Sequence, residues 1–165
     1  MTTMTTTRAH VSFEFAWSVR EAIDTSCQLL DNENYGDWLA LCADDFRYSI
    51  HSFSPEIRRE MTVLDKNLGE MKLLFDQLRL HETRQGQWRR MIGGIRVCNP
   101  EAGTDTHGVV SALTVFHTDV YGSTTLFCVG RYQDRFRMTD GGPVIVSRRV
   151  LMDTRRLPFG SHVPL

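Results

Sequence analysis

The sequence has little lysine, no closely spaced cysteines and no long apolar run. Its net charge of −1 excludes the basic excess that binding to nucleic acid or to an anionic membrane surface requires. No stretch reaches the roughly 18 apolar residues of a membrane-spanning helix. The first ten residues also lack the apolar segment of a secretion signal. We therefore expect a cytoplasmic protein with neither nucleic-acid nor membrane partners.

The four cysteines are widely spaced within apolar patterns, at Cys27, Cys42, Cys98 and Cys128. Thiols in such positions are typical of a reduced protein core. The sequence also lacks the paired Cys and His ligands at short spacing that hold a Rieske iron–sulfur cluster. We therefore expect no cofactor in this chain.

Positive charge is carried by 17 arginines and only 2 lysines. Arginine bonds carboxylates through a planar fork and is enriched at protein interfaces, which favours a protein partner. A chain of 165 residues with 41% hydrophobic content suits one domain. We predict a flexible Thr-rich tail over residues 1–12 and a single domain over residues 13–165.

Apolar residues at helical spacing predict an amphipathic helix over residues 13–30 and a second long helix over residues 62–80. Asn34 is positioned to cap a short helix between them, and the acidic pair Asp44 and Asp45 is expected to end it. Alternating patterns predict strands over residues 46–50, 57–63, 92–98, 109–120 and 126–138, and a last strand after a turn at residues 140–142. This order, without a β-α repeat, predicts an α+β fold in which three helices cover one face of a strongly curved, antiparallel or mixed sheet.

The last two strands form a predicted hairpin with one apolar and one polar face. If Asp140, Gly141 and Gly142 form a three-residue loop, the apolar face pairs Met138 with Val144, Phe136 with Val146, Tyr132 with Val150 and Asp134 with Arg148. A buried charge needs a partner, so we predict an Asp134–Arg148 ion pair. The opposite, polar face carries Arg131, Gln133, Arg135 and Arg137.

Two patterns could support chemistry. His117, Asp119 and His162 imitate the two-histidine, one-carboxylate iron triad, although a solvent-side histidine and a turn-forming aspartate explain the same residues. Asp45, Tyr48 and His51 could act as acids and bases in a cone-shaped cavity, but strand alternation turns Tyr48 away from the other two. The simpler interpretation places Asp45 near a helix end and Tyr48 in the core.

Three segments, residues 29–50, 71–97 and 129–158, resemble the small, or beta, subunit of Rieske-type ring-hydroxylating oxygenases. The resemblance lies in Tyr35, Trp38 and the Ala43-Asp44-Asp45 run, in Arg96-Val97, and in the hairpin from Asp134-Arg135 to Arg148-Arg149-Val150-Leu151. It implies an NTF2-like, or cystatin-like, cone. It also implies an α3β3 hexamer with beta–beta contacts, in which the alpha subunit holds the Rieske [2Fe-2S] cluster, the mononuclear iron and the substrate pocket.

This resemblance implies that the chain is an assembly subunit without catalytic residues of its own. Residues 87–91 lack the Thr-Arg-His run expected before their strand, so a complex acting on an aromatic acid and one acting on a sulfonate, as methanesulfonate monooxygenase does, both stay open. The alternative functions are a freestanding NTF2-like dehydratase or isomerase and a small-molecule-binding protein.

We expect the arginines of the polar face to contact another chain. The candidate interface residues are Arg131, Arg135, Arg137, Arg149, Arg155, Arg156, Trp88, Arg89 and Arg90. Residues 155–160 suit an arm that reaches a partner, because their Pro and Gly cannot extend the strand and the two arginines have no obvious internal partner. A flexible tail is the alternative. For Trp88, packing beneath a sheet edge is the alternative.

Overall fold

The computed structural model describes residues 11–81, 86–100, 103–158 and 164–165. The predicted tail, residues 1–12, lies outside this part except for Val11 and Ser12. Ser12 is the N-cap of the first helix, because its side-chain oxygen accepts a hydrogen bond from the backbone N–H of Phe15 at 3.2 Å.

The described residues form three helices, which are α1 (Phe13–Asp31), α2 (Tyr35–Ala40) and α3 (Leu68–His81). The predictions for α1 and for the Asn34 cap of α2 are confirmed. The predicted end of α2 is wrong, because the helix stops at Ala40 and both Asp44 and Asp45 lie in the strand that follows.

Helix α3 begins six residues later than predicted. Asn67 accepts a hydrogen bond from the backbone N–H of Glu70 at 3.0 Å, and the Glu70 carboxylate accepts one from the N–H of Asn67 at 2.8 Å. These reciprocal bonds form a capping box, which fixes the first turn at Leu68. Leu64 fits the helical spacing but belongs to the preceding strand, where it is half-buried.

The described residues also form one six-stranded sheet. Its strands are β1 (Cys42–Ser54), β2 (Arg59–Asn67), β3 (Gln87–Pro100), β4 (Thr106–Thr118), β5 (Thr124–Thr139) and β6 (Gly142–Met152). Their order across the sheet is β2-β1-β6-β5-β4-β3. Only β1 and β6 run parallel among these pairs, so the sheet is mixed. The predicted α+β class is confirmed.

The core lies between the sheet and the helices. Trp38 of α2 makes edge contacts with Phe46 of β1 and Phe75 of α3, each with ring centroids 5.6 Å apart. Tyr35 stacks on Phe75 at 4.3 Å. Aromatic pairs in these geometries add to the burial of their area, so this cluster fixes α2 and α3 against the same strand.

The β5–β6 hairpin has the predicted register in its body but not near its turn. Asp134 lies opposite Arg148 and Tyr132 opposite Val150, whereas Phe136 lies opposite Ile145 and Met138 opposite Pro143. The loop is only Asp140-Gly141, since Thr139 already pairs with Gly142. Asp-Gly favours such two-residue turns.

A β-bulge at Val146 compensates for the shorter loop. The extra residue on β6 restores the predicted pairing from Arg135 onward. It also turns Ile145, rather than Val144 or Val146, into the core, where Ile145 is buried. The prediction that Met138 belongs to the apolar face is wrong, because this side chain is 44% exposed near the hairpin tip.

Candidate functional site

The predicted ion pair between β5 and β6 is present and buried. The Arg148 guanidinium donates Nε to Oδ1 of Asp134 at 3.0 Å and Nη2 to Oδ2 at 2.8 Å. Both side chains are almost fully enclosed, with 0% and 1% of their surfaces exposed. The fork geometry satisfies both carboxylate oxygens, as a buried carboxylate requires.

Arg148 also ties the hairpin to the helical layer. Its Nη1 donates to the hydroxyl of Ser26 on α1 at 3.0 Å, and its guanidinium carbon lies 4.0 Å from the centre of the Tyr132 ring. Burial raises the pKa of the Asp134 carboxyl, while the charge and hydrogen bonds of Arg148 oppose that shift. All of these groups are used inside the chain, and they form a structural network.

Trp88 and Arg90, predicted as interface candidates, are buried within the chain, and for Trp88 this is the alternative of packing beneath a sheet edge. Trp88, in edge strand β3, is 6% exposed, and its ring centroid lies 4.7 Å from that of His117 and 4.9 Å from that of Phe127. Arg90 is 7% exposed and forms an ion pair with Asp31 at the end of α1. Strand alternation explains the difference, because residues 88 and 90 face the helices while Arg89 faces outward and is exposed.

The acid–base candidates on β1 do not converge. Asp45 is exposed and paired with Arg137, whose hydrogen bond lowers the pKa of the Asp45 carboxyl. Tyr48 is fully buried on the other face, in the core as the simpler interpretation had it. His51 contacts Ser49 at 2.9 Å and Glu60 at 3.1 Å. No substrate could meet all three groups at once.

The iron-triad residues also have structural roles. His117 is buried against Trp88, so the expectation of a solvent-side histidine is wrong. The Asp119 carboxylate accepts backbone hydrogen bonds from Tyr121 and Ser123, each at 2.9 Å, as a turn-forming aspartate does. His162 lies outside the described residues. Among the residues that are described, no three His, Cys, Asp or Glu side chains are grouped to hold a metal ion.

The arginines of the polar hairpin face lie on the side of the sheet turned away from the helices, which we call the outer face. Arg131, Arg135 and Arg149 are neighbours there across β5 and β6. Arg149 donates to Gln133 at 2.9 Å and pairs with Glu60 of β2. A groove of about 350 Å³ runs beside Arg135 and Arg149. The outer face is therefore rich in arginine.

The other arginine candidates differ in their surroundings. Arg137 pairs with Asp45 at 3.1 Å and with Asp105 at 2.9 Å. Arg155 forms an ion pair with Glu56, so the expectation that it lacks an internal partner is wrong. This hydrogen bond lowers the pKa of Glu56 to about 2. Arg156 is exposed.

The cysteines are free thiols, as predicted. Burial raises the pKa of Cys42 to about 12 and that of Cys128 to about 11. Because the thiolate is the reactive form, these two residues are poor nucleophiles and ligands. None of the described helices is long and apolar enough to cross a membrane.

A model of the protein family described as "Ring hydroxylating beta subunit" matches residues 25–158. The chain belongs to this family. It is 37% identical over 157 residues to the methanesulfonate monooxygenase hydroxylase subunit beta of Methylosulfonomonas methylovora. This alignment covers 90% of this chain and 86% of that one. The chain is 33% identical over 148 residues to the 2-aminobenzenesulfonate 2,3-dioxygenase subunit beta of an Alcaligenes species. This alignment covers 90% of this chain and 97% of that one.

The fold of this beta-subunit family member is found in solved structures. It superposes on a structure of naphthalene 1,2-dioxygenase with a TM-score of 0.80 and 16% identity, covering 95% of this chain and 89% of that one. The expected NTF2-like fold is confirmed. Sequence reasoning missed the contacts of Pro164 and Leu165 with Arg90 and Tyr48 in the core. Strand alternation places the side chains of residues 48 and 90 on the inward face of the sheet, which indicates two buried polar groups. Nothing in the sequence indicates which residues are their hydrogen-bond partners.

Proposed function

We propose that this chain is the structural beta subunit of a multicomponent Rieske non-heme iron oxygenase and contributes no catalytic residue. The Rieske [2Fe-2S] cluster, the mononuclear iron and the substrate pocket belong to a larger alpha subunit. The observation that carries the proposal is the family match over residues 25–158. The absence of a metal-ligand group among the described residues is consistent with it.

We propose a sulfonated compound as the substrate of the complex. Both relatives described above are named for a sulfonate, one aliphatic and one aromatic. Substrate choice would then be made by the alpha subunit, since the acid–base candidates of this chain do not share a cavity. An aromatic acid is the alternative substrate class.

The proposed assembly is an α3β3 hexamer in the cytoplasm with beta–beta contacts. The free cysteines suit a reducing compartment. We assign the subunit contacts to the outer face, where Arg131, Arg135 and Arg149 lie on β5 and β6 and the exposed apolar side chains of Val129 and Met91 lie on β5 and β3. Arginine and methionine are both enriched at protein interfaces. Arg89, Arg137, Arg155 and Arg156 are more peripheral candidates.

Co-purification with the alpha subunit tests this function. The chain would be co-expressed with a large Cys- and His-rich oxygenase chain from the same source, and size-exclusion chromatography with light scattering would give the mass of the complex. We expect co-elution at the mass of a hexamer, with iron and acid-labile sulfide bound to the large chain. The proposal fails if the two chains never co-elute. A complex with another stoichiometry would refute only the α3β3 arrangement.

The freestanding dehydratase, isomerase or binding-protein alternative has no comparable support. It needs poised acids and bases around one pocket. Asp45 and His51 lie on the opposite side of β1 from Tyr48, and each is engaged by a neighbouring side chain.

A further inference from the structure

Residues 164–165 lie inside the molecule, between the sheet and the helices. Leu165 is 4% exposed and belongs to the same hydrophobic core as Trp38, Tyr48 and Tyr132. These two residues fall outside the stretch 25–158 that matches the family. Their position is therefore a feature of this chain that the family match does not account for.

Two buried polar side chains hold the backbone of this segment. The Tyr48 hydroxyl accepts a hydrogen bond from the N–H of Leu165 at 2.9 Å and donates one to a main-chain oxygen of Leu165 at 3.2 Å. Arg90 donates Nη2 to the carbonyl of Pro164 while its Nη1 engages Asp31. Peptide groups are thus recognised through donor and acceptor positions together, as in a binding site.

Tyr48 and Arg90 depend on this segment for hydrogen-bond partners. Burial raises the pKa of Tyr48, so the hydroxyl remains protonated and able to donate. If residues 164–165 left the core, this hydroxyl and Nη2 of Arg90 would lose the hydrogen bonds described above. Buried polar groups without partners are strongly unfavourable. The polar interior therefore selects the closed arrangement.

The body of the chain also fixes the residues before this segment. The Thr154 hydroxyl accepts a hydrogen bond from the N–H of Val129 at 2.8 Å, and Arg155 pairs with Glu56. The chain is consequently attached to the domain at residues 154–155 and again at residues 164–165. Residues 159–160 of the predicted arm lie outside the described residues.

We propose that Pro164 and Leu165 form a latch that occupies the interior of the cone as an internal ligand of Tyr48 and Arg90. The latch occupies part of the hydrophobic core, and it restrains residues 155–158 on the domain. It operates in the single chain, so it does not rest on the proposed assembly.

Limited trypsin digestion of the full chain under native conditions tests the latch. Trypsin cleaves after Arg155 and Arg156, and cleavage there requires local opening of the chain. Tyr48→Phe removes the hydroxyl and both hydrogen bonds to Leu165 while keeping the ring. We expect cleavage at these sites, followed by mass spectrometry, to become at least about tenfold faster. Tyr121→Phe is the matched control, since Tyr121 is 91% exposed, and it should cleave like the parent chain.

A second variant separates the latch from the general stability of Tyr48. Leu165→Ala retains both backbone hydrogen bonds and removes only the buried side chain, with Leu73→Ala on the exposed side of α3 as its control. We expect faster cleavage for Leu165→Ala and cleavage at the parent rate for Leu73→Ala, with the circular dichroism spectra of both variants unchanged. If Tyr48→Phe does not fold, Leu165→Ala decides the matter. Parent-like cleavage of Leu165→Ala would overturn the latch.

Discussion

At the scale of residues, the interior contains two buried ion pairs, each formed by an aspartate and an arginine. Asp134 and Arg148 satisfy each other, and Arg148 reaches Ser26 on α1 with its remaining nitrogen. Asp31 and Arg90 form a second set at the end of the same helix. Charges this deeply buried persist only when paired and hydrogen-bonded, so each set fixes the register of the elements that contribute to it.

Breaking the Asp134–Arg148 pair should be far more harmful than breaking an exposed pair. Asp134→Asn leaves the Arg148 guanidinium buried without a counter-charge, so we expect the free energy of unfolding to fall by roughly 3–5 kcal/mol. Asp65→Asn is the matched control, because the Arg47–Asp65 pair is about half exposed and should contribute less than about 1 kcal/mol. Urea denaturation followed by circular dichroism measures both. Equal losses in the two variants would show that the buried pair is not a structural requirement.

At the scale of elements, the hairpin shows how local turn chemistry and the bulge act together. Asp140-Gly141 closes the turn in two residues, and the bulge at Val146 supplies the residue that the turn omits. The shorter turn and the bulge each shift the pairing register by one residue on β6, in opposite directions. Asp134 therefore lies opposite Arg148, as predicted. Close approach of backbones fixes the other end of the hairpin, where Gly130 of β5 faces Met152 of β6.

Gly130 should not tolerate a side chain. A Cβ atom there would overlap the carbonyl oxygen of Leu151 and lie 3.1 Å from the Cα of Met152, and neither backbone atom can move freely within the sheet. We expect Gly130→Ala to lower the free energy of unfolding by roughly 1–3 kcal/mol. Gly93→Ala on β3 is the control, since no atom lies within 4 Å of a Cβ at that position, and it should change the free energy by less than about 0.5 kcal/mol. Identical urea midpoints for the two variants would contradict the close approach.

At the scale of the whole molecule, the two sides of the sheet have different tasks. The helical side encloses the core, the two buried ion pairs and residues 164–165. The outer face presents Arg131, Arg135 and Arg149, which are neighbours across β5 and β6. An arginine-rich sheet face of this kind suits an acidic surface on another chain, which fits the proposed role as an assembly subunit.

Charge reversal on the outer face should weaken assembly without unfolding the chain. Arg131→Glu places a carboxylate where the partner is expected to be acidic, so we expect the dissociation constant for the alpha subunit to rise at least about tenfold, or ~1.4 kcal/mol. Lys72→Glu, an exposed reversal on α3, is the control. Light scattering of the co-expressed complex over a dilution series measures both effects. The interface assignment is wrong if both variants assemble as the parent chain does.

The sequence alone determined the features that depend on residues close together in the chain. The spacing of apolar residues located α1, and Asn34 marked the start of α2. Strand alternation placed Tyr48 in the core and set Asp134 opposite Arg148. Three ordered segments were enough to indicate the family, because its signature is carried by those local patterns. Leu64 shows the limit of this reasoning, since its spacing suits a helix and a strand equally.

The tertiary structure decided which side of each element is covered and by what. The sequence suggests that Trp88 and Arg90 form a contact surface, but both side chains are buried. Arg90 pairs with Asp31 of α1, and Trp88 packs against His117 of β4. Arg155 pairs with Glu56, which lies 99 positions earlier in the chain. Residues 164–165 bind Tyr48 and Arg90 only because the fold brings distant positions together. Such partners depend on long-range geometry, which neither composition nor periodicity contains.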